Sequence, residues 1–291
     1  MSLKVLSWNI EHFDGRGGRA TRTADREEII AARLDRRERV VALLRQEDPD
    51  IFGLSEVEGK DVHEKLTSDM PGYVFNITEG TQSQEILIGV RHGLTAFFTQ
   101  RNEFKRSNPY LRPGALLTVT VRPNVHVPIL FAHLKSAPSP EGFGLRDAMF
   151  DKVFELRKAL NKSAQVLGQE AAHFFVLGDM NTMGMDYEGS DHDLAGPIEI
   201  QTVKKRLGRR GMFALSKSHP HTFSNGSDSE IPDSDLDHVF AANHLEDHFE
   251  PNPDGTLVDV GGWAKEDVGE KRDAWIRDFS DHAPLTLTLN I

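Results

Sequence analysis

Apolar stretches of this chain repeatedly stop at a polar residue, and the stops share a chemical character. Phe174-Phe175-Val176-Leu177 is unbroken, the pattern of a strand buried on both faces, and it ends in Gly178-Asp179-Met180-Asn181. Leu3 to Trp8 reads as a strand that stops at Asn9. Asp50 to Glu56 reads as another buried strand, terminating in a carboxylate. Val127 to Ala132 leads into His133-Leu134-Lys135-Ser136. Leu236 to Ala241 carries Asp237-His238 near its start, and the alternating strand Ala283 to Leu289 comes after Ser280-Asp281-His282. Tyr73 to Ile77 and Ala115 to Val121 are further strands. Glu85 to Val90 and Leu94 to Phe98 flank His92-Gly93 and read as the arms of a hairpin.

Helical spacing appears between these runs. From Asp25 to Gln46 it is carried by Ile30, Leu34, Val41 and Leu44, and Pro49 closes the stretch. Asp61 to Met70, Leu145 to Gly168 and Ile198 to Leu207 are the other predicted helices. Asp14 to Thr23 is rich in Gly and Arg and reads as loop, as do Met183 to Pro197 and Ser216 to Asp235, while Glu246 to Asp278 is a long acidic, Gly-rich segment with no element assigned to it. Strands alternating with helices, without repeats, heptads or a break in composition, predict an α/β chain organised as a single domain over residues 1–291.

Composition narrows the chemistry. The 291 residues carry 34 Lys plus Arg against 45 Asp plus Glu, a net charge of −11. Such a chain is not built for non-specific capture of nucleic-acid backbones, although the sum does not see a local basic cleft. There is no cysteine, which excludes disulfides, thiol nucleophiles and thiolate metal sites. No run approaches the roughly 20 apolar residues that span a bilayer, and the first residues are too short an apolar run for a signal peptide. The expected location is cytoplasmic, and no protein partner is evident.

Carboxylates can hold a hard cation or take a proton from water, and a carboxamide both donates and accepts hydrogen bonds. Taken singly, each polar stop is also an ordinary turn, since Gly, Asp and Asn favour turns. Taken together, Trp8-Asn9, Ser55-Glu56, His133-Leu134-Lys135-Ser136, Gly178-Asp179-Met180-Asn181, Leu236-Asp237-His238 and Ser280-Asp281-His282-Ala283-Pro284 form an ordered set. That set resembles the endonuclease/exonuclease/phosphatase superfamily, the deoxyribonuclease-like phosphoesterases. The resemblance runs by motif order from residue 3 to about residue 289. It implies a four-layered α/β/β/α sandwich, two packed mixed sheets flanked by helices, with the site at one end.

The resemblance also implies roles. Glu56 is the candidate principal ligand for Mg²⁺, with Mn²⁺ as a substitute, and Asn9 and Asp281 hold that metal or its waters. Asp179 orients or deprotonates the attacking water, and Asn181 donates to a phosphoryl oxygen. His282 is the acid, base or phosphate clamp, with Asp237 as its partner. Branches of the family with a histidine in the position of His133 often pair it with a Glu at the start of a preceding strand, and Glu85 is the candidate. Arg112 resembles a phosphate-contacting arginine, and Lys135 adds a second positive contact. The chain departs from the common pattern at Phe131, where many members have Asn, and at Asp235-Leu236-Asp237-His238, where many have Arg-Ile-Asp-Tyr. Ser190-Asp191-His192 repeats the triplet of Ser280-Asp281-His282 but has no strand after it, so it reads as loop. His12, His219 and His221 are a further set of metal-capable side chains, without recognisable ligand spacing.

Three function classes fit these residues. The first is a Mg²⁺-dependent phosphodiesterase of nuclease type. The second is a phosphomonoesterase of the same fold, acting on a phosphorylated small molecule or lipid headgroup. The third is a non-catalytic binding protein, against which the full set of acidic and imidazole positions argues.

Overall fold

Strands that are apolar on both faces need cover on both, and the chain supplies it in four layers. The computed structural model describes residues 1–13, 26–58 and 62–291. The Gly- and Arg-rich stretch Asp14 to Thr23 and the starts of the first two predicted helices lie outside the described residues.

In chain order the elements are β1 (Ser2–Phe13), α1 (Arg26–Glu47), β2 (Ile51–Val57), α2 (Val62–Asp69), β3 (Tyr73–Ile77), β4 (Glu85–Arg91), β5 (Thr95–Arg101), β6 (Gly114–Arg122) and β7 (Val125–His133). Then come α3 (Pro140–Val166), β8 (Phe175–Asp179), β9 (Gly184–Met185), β10 (Leu194–Ala195), α4 (Gly196–Gly208), β11 (Met212–Ala214), β12 (Asp237–Ala242), β13 (Asp259–Val260), α5 (Glu270–Asp278) and β14 (Leu285–Asn290). Two six-stranded sheets result, ordered β13-β14-β1-β2-β4-β3 and β11-β12-β8-β7-β6-β5.

Strand alternation assigns the layers. Val5, Ile88, Leu117, Ile129, Phe175 and Leu177 point between the sheets and form the central core. Their neighbours Leu6, Trp8, Phe52 and Leu54 point outward onto Val40, Val41 and Leu44 of α1 and Leu66 of α2. On the other sheet Leu130, Val176 and Phe240 meet Phe150 and Val153 of α3 and Val203 and Leu207 of α4. Each such side chain contributes about 1.5–3 kcal/mol on burial. The result is the four-layered α/β/β/α sandwich. Among the described residues no helix is long and apolar enough to cross a membrane.

Several local expectations are corrected. The two arms around His92-Gly93 are not a hairpin: β4 pairs with β2 and β3 in one sheet, whereas β5 pairs with β6 in the other. The turn is a crossover between sheets, and turn chemistry alone does not distinguish the two. Helix α3 begins earlier than its apolar pattern, because Ser139 caps it by accepting from the Gly142 amide at 3.2 Å and Pro140 opens the first turn. The acidic Glu246 to Asp278 segment, to which the sequence assigned no element, contains β13 and α5. In α1, Val40, Val41 and Leu44 are buried but Ile30 and Leu34 are largely exposed.

Candidate active site

Each sheet contains one parallel pair, β1 with β2 and β7 with β8, among antiparallel neighbours. Parallel strands deliver their C-terminal ends to the same edge, and an antiparallel neighbour delivers its N-terminal start there. Asn9, Glu56, His133 and Asp179 stand at or near the C-terminal ends of the four parallel strands. Asp237 opens β12 directly opposite Asp179 in register, and Asp281 and His282 precede β14. All six polar stops of the sequence therefore meet at one end of the sandwich. The local backbone is bent to present them: Glu56 and Asn181 adopt positive φ, 63° and 51°. Gly178 has φ 132°, and a Cβ there would lie 2.1 Å from the Ala132 carbonyl oxygen, so only glycine fits before Asp179.

A pocket of about 580 Å³ opens at this end, lined by Glu56, His133, Asp179, Asn181, Asp281 and His282 among others. Asn9 and Asp237 stand behind that lining. The Asn9 amide Nδ2 donates to Asp179 Oδ2 at 2.9 Å and to Glu56 Oε1 at 3.2 Å, bridging the two carboxylates. Asp237 Oδ2 meets His282 Nδ1 at 2.7 Å. The other imidazole nitrogen of His282 lies 3.9 Å from Asp179 Oδ2, and Nε2 of His133 lies 3.4 Å from the same oxygen and 3.7 Å from Glu56 Oε1. Asp179 also accepts from the Asn181 amide at 2.9 Å, while the Asn181 side chain donates to the Leu134 carbonyl at 3.2 Å.

Burial and charge set the protonation states. Desolvation is the largest influence on Asp179, with Asp237 adding to it and His282 opposing, and its carboxyl is pushed up to about 7. On His282 burial works against the charged form, but Asp237 and Asp179 outweigh it and hold the imidazole well above its usual value. On His133 burial, then the cations Arg112, His282 and Lys135, push the other way, and it stays well below. The two imidazoles are thus biased in opposite directions, His282 toward the charged form and His133 toward the neutral one.

The donor chemistry also suits a hard cation. Oxygen atoms of Glu56 and Asp179 and a nitrogen of His133 lie within 4.8 Å of one another. A second group of Asp179, Asp237 and His282 is equally close. Two carboxylates converging on one buried position fit a cation that prefers oxygen ligands.

The chain matches the Endonuclease/Exonuclease/phosphatase family over residues 6–282. It belongs to that family. Its members are metal-dependent enzymes that hydrolyse phosphoesters, and this chain is a phosphoesterase of that kind. Solved structures share the fold at low identity. Truncated TDP2 from Caenorhabditis elegans has a TM-score of 0.62 at 16% identity, with 100% of this chain and 98% of that chain covered. TDP2 from D. rerio complexed with a single-strand DNA product has a TM-score of 0.61 at 17% identity, covering 100% and 99%. The 3′ phosphatase NExo from Neisseria, bound to a product DNA hairpin, has a TM-score of 0.62 at 16% identity, covering 99% and 100%. No curated protein sequence matches the chain.

Within this family frame, one expected pairing fails. Glu85 does not hold His133: its Oε2 accepts from Thr78 Oγ1 at 2.7 Å and Gln82 Nε2 at 2.6 Å, and His133 Nδ1 has no hydrogen-bond partner among the described residues. Strand parity is the reason. Glu85 shares its face with Leu87, which points to the helix layer, whereas Gln84 shares the face of Ile86 and Ile88, which leads into the site. Gln84 Nε2 accordingly donates to Glu56 Oε2 at 2.8 Å, and its Oε1 accepts from Arg112. Arg112 and Lys135 line a smaller cavity next to this pocket. Asp281 lines the catalytic pocket, outside the Glu56 group. His12 reaches the pocket wall, but His219 and His221 sit elsewhere, with His219 packed edge-on to Trp263. Phe131 fills the inter-sheet core.

Sequence reasoning also missed a clip formed by Thr222, Phe223 and Ser224. The Thr222 hydroxyl accepts from the amides of Leu236 and Asp237 at 3.0 and 2.8 Å, and its carbonyl accepts from the Ala283 amide at 2.8 Å. Phe223 bridges Ser234 and His282 and sets its ring 5.1 Å from the imidazole. Ser224 N donates to the Asp281 carbonyl at 2.9 Å. The clip joins the start of β12 in one sheet to the approach to β14 in the other. In a Ser-, His- and Pro-rich loop, the only signal was a β-branched residue and an aromatic side by side.

Proposed function

We propose that the protein is a Mg²⁺-dependent phosphodiesterase of nuclease type. The observation that carries this reading is geometric: His282 Nδ1 stands 2.7 Å from Asp237 Oδ2 and its Nε2 faces Asp179 Oδ2 at 3.9 Å across the pocket, where burial pushes the Asp179 carboxyl up to about 7. Hydrolysis of an anionic ester needs one group to accept a proton from water and another to stabilise the leaving oxygen, each tuned near working pH. Asp179 accepts the proton, and His282 donates to or clamps the leaving oxygen. Neutral His133 donates a hydrogen bond to a phosphoryl oxygen, as does the Asn181 amide. Glu56 would be the principal metal ligand, and Asn9 and Asp281 would complete the site directly or through water. A bound Mg²⁺, for which Mn²⁺ substitutes, supplies charge neutralisation to the phosphoryl group and lowers the pKa of bound water. Arg112 and Lys135 hold anionic groups beside the pocket.

The test is a substrate panel with and without Mg²⁺: plasmid DNA, single-stranded DNA, RNA, bis-nitrophenyl phosphate, phosphomonoesters and inositol phosphates. Metal-dependent turnover of diesters above monoesters is expected. Turnover confined to monoesters sinks the diesterase reading, and full turnover in excess chelator sinks the metal.

A further inference from the structure

The catalytic pocket has a neighbour on each side, and the two neighbours differ in charge. Ser136 lies in the wall shared with a cavity of about 180 Å³ that carries Arg112 and Lys135, a place for an anion. Met183 and Ser234 form the wall shared with a larger cavity of about 430 Å³ on the other side. Its broad surfaces are apolar: Pro197 and Ile200 from α4, then Met183, Pro220 and Pro232. Polar edges come from Thr182, His221 and Ser234.

Charge restricts what this larger cavity accepts. Among the described residues its lining holds two carboxylates and no lysine or arginine, so a second phosphate finds no cation there to receive it. Both carboxylates are already engaged, Asp233 with Arg272 and Asp235 with Lys217, so a cation gains little. A sugar or inositol ring would turn hydroxyls onto prolines and leave them unpaired, at a cost of about 1–3 kcal/mol each. An acyl chain would in turn strip water from the Thr182, His221 and Ser234 edges. The group that satisfies both features is flat and uncharged, with apolar faces and hydrogen-bonding edges.

We propose that this cavity is a subsite for the nucleobase adjoining the scissile phosphate. The proposal rests on the phosphodiesterase reading and narrows it to nucleotidic esters, with the flanking anion directed to Arg112 and Lys135.

Calorimetric titrations in excess chelator, where turnover is arrested, compare thymidine 5′-monophosphate with 2-deoxyribose 5-phosphate, which lacks only the base. The wild-type protein should bind the nucleotide about tenfold more tightly, the scale of roughly 60 Å² of apolar surface removed from water as the base settles on the prolines. Pro197→Trp, at an exposed position in the first turn of α4, fills the cavity and should reduce that ratio to about one. Pro232→Trp, in a different segment, should do the same. Neither should change binding of the sugar phosphate or Mg²⁺-dependent turnover of methyl 4-nitrophenyl phosphate, which has no base. Equal binding of the two probes by wild type, no nucleotide binding at millimolar concentration, or a ratio that survives both Trp variants overturns the subsite. Loss of diester turnover with the nucleotide preference intact overturns the phosphodiesterase reading alone and leaves the base subsite standing.

Discussion

His282 and His133 approach Asp179 from different sheets, both buried, and their surroundings push them toward opposite charge states. Burial lowers the basicity of both imidazoles. What differs most is the group behind each ring: Asp237 sits 2.7 Å from His282 Nδ1, while His133 Nδ1 has no such partner among the described residues and has Arg112 and Lys135 pushing it further down. One fold thus makes a cationic and a neutral histidine within reach of one carboxylate oxygen, and the choice is made by what stands behind each ring. The cationic side suits a leaving oxygen, and the neutral side suits an uncharged donor to a phosphoryl oxygen.

Removing the shared carboxylate should have the largest effect. Asp179→Asn is expected to lower kcat at least about a thousandfold, the scale of a lost catalytic group. It should also stabilise the metal-free protein. The folded-state value of about 7 lies above the ordinary 3.8, so the native state keeps a proton that the unfolded chain releases. Stability therefore falls as pH rises between about 4 and 7, and the neutral amide removes that penalty. After the loss of one hydrogen-bond acceptor, a net gain of about 1–2 kcal/mol remains at pH 7.5, or roughly 3–6 °C in melting temperature. A melt in chelator that shows Asp179→Asn to be less stable at pH 7.5 contradicts the raised carboxyl.

Next in size is the brace behind the cationic ring. Asp237→Asn should cost about 10²–10⁴ in kcat with a smaller change in KM. Because Asp237 raises the His282 pKa, the alkaline limb of the pH–rate profile should move to lower pH. An unmoved limb would break the comparison between the two histidines.

The clip should matter less, and through geometry. Thr222→Val keeps the shape but removes the acceptor for two buried amides, and a loss of about tenfold in kcat is expected. Thr222→Ser restores the hydroxyl and should restore turnover. Equal loss in both variants would assign the effect to packing.

The smallest effect should come from Glu85→Gln, within about threefold of wild type, since Glu85 braces Thr78 and Gln82 and not His133. A loss comparable to Asp237→Asn would mean that the two histidines are held alike after all.

The strand ends were legible because chemistry and periodicity coincide there: a run such as Phe174 to Leu177 cannot be exposed, and the residues after it must surface at an edge. Parity was harder to read. Glu85 and Gln84 are adjacent, and a carboxylate is the more obvious catalytic residue, yet the face of Ile86 and Ile88 selects Gln84. Crossovers were invisible for a related reason. His92-Gly93 turns the chain in a way that serves either a hairpin or a passage between sheets, and the choice depends on β2 and β6, far away in sequence. Thr222 carries no charge and acts through its hydroxyl and its carbonyl, so nothing local marks it.

The contact between Gly53 and Phe131 extends this dependence on distant partners. A Cβ on Gly53, in the first sheet, would land 2.1 Å from the Phe131 ring of the second. At that point the two sheets are as near as a missing side chain allows. The groups proposed to react are divided between those sheets, with Glu56 and His282 on one and Asp179, His133 and Asp237 on the other. The enzyme is in this sense a dimer of half-sites written into one polypeptide, and the thickness of its hydrophobic interior is a calibration of its chemistry. A methyl group inserted at Gly53 would act as a spacer, detuning the distance between imidazole and carboxylate with every residue proposed to react still present.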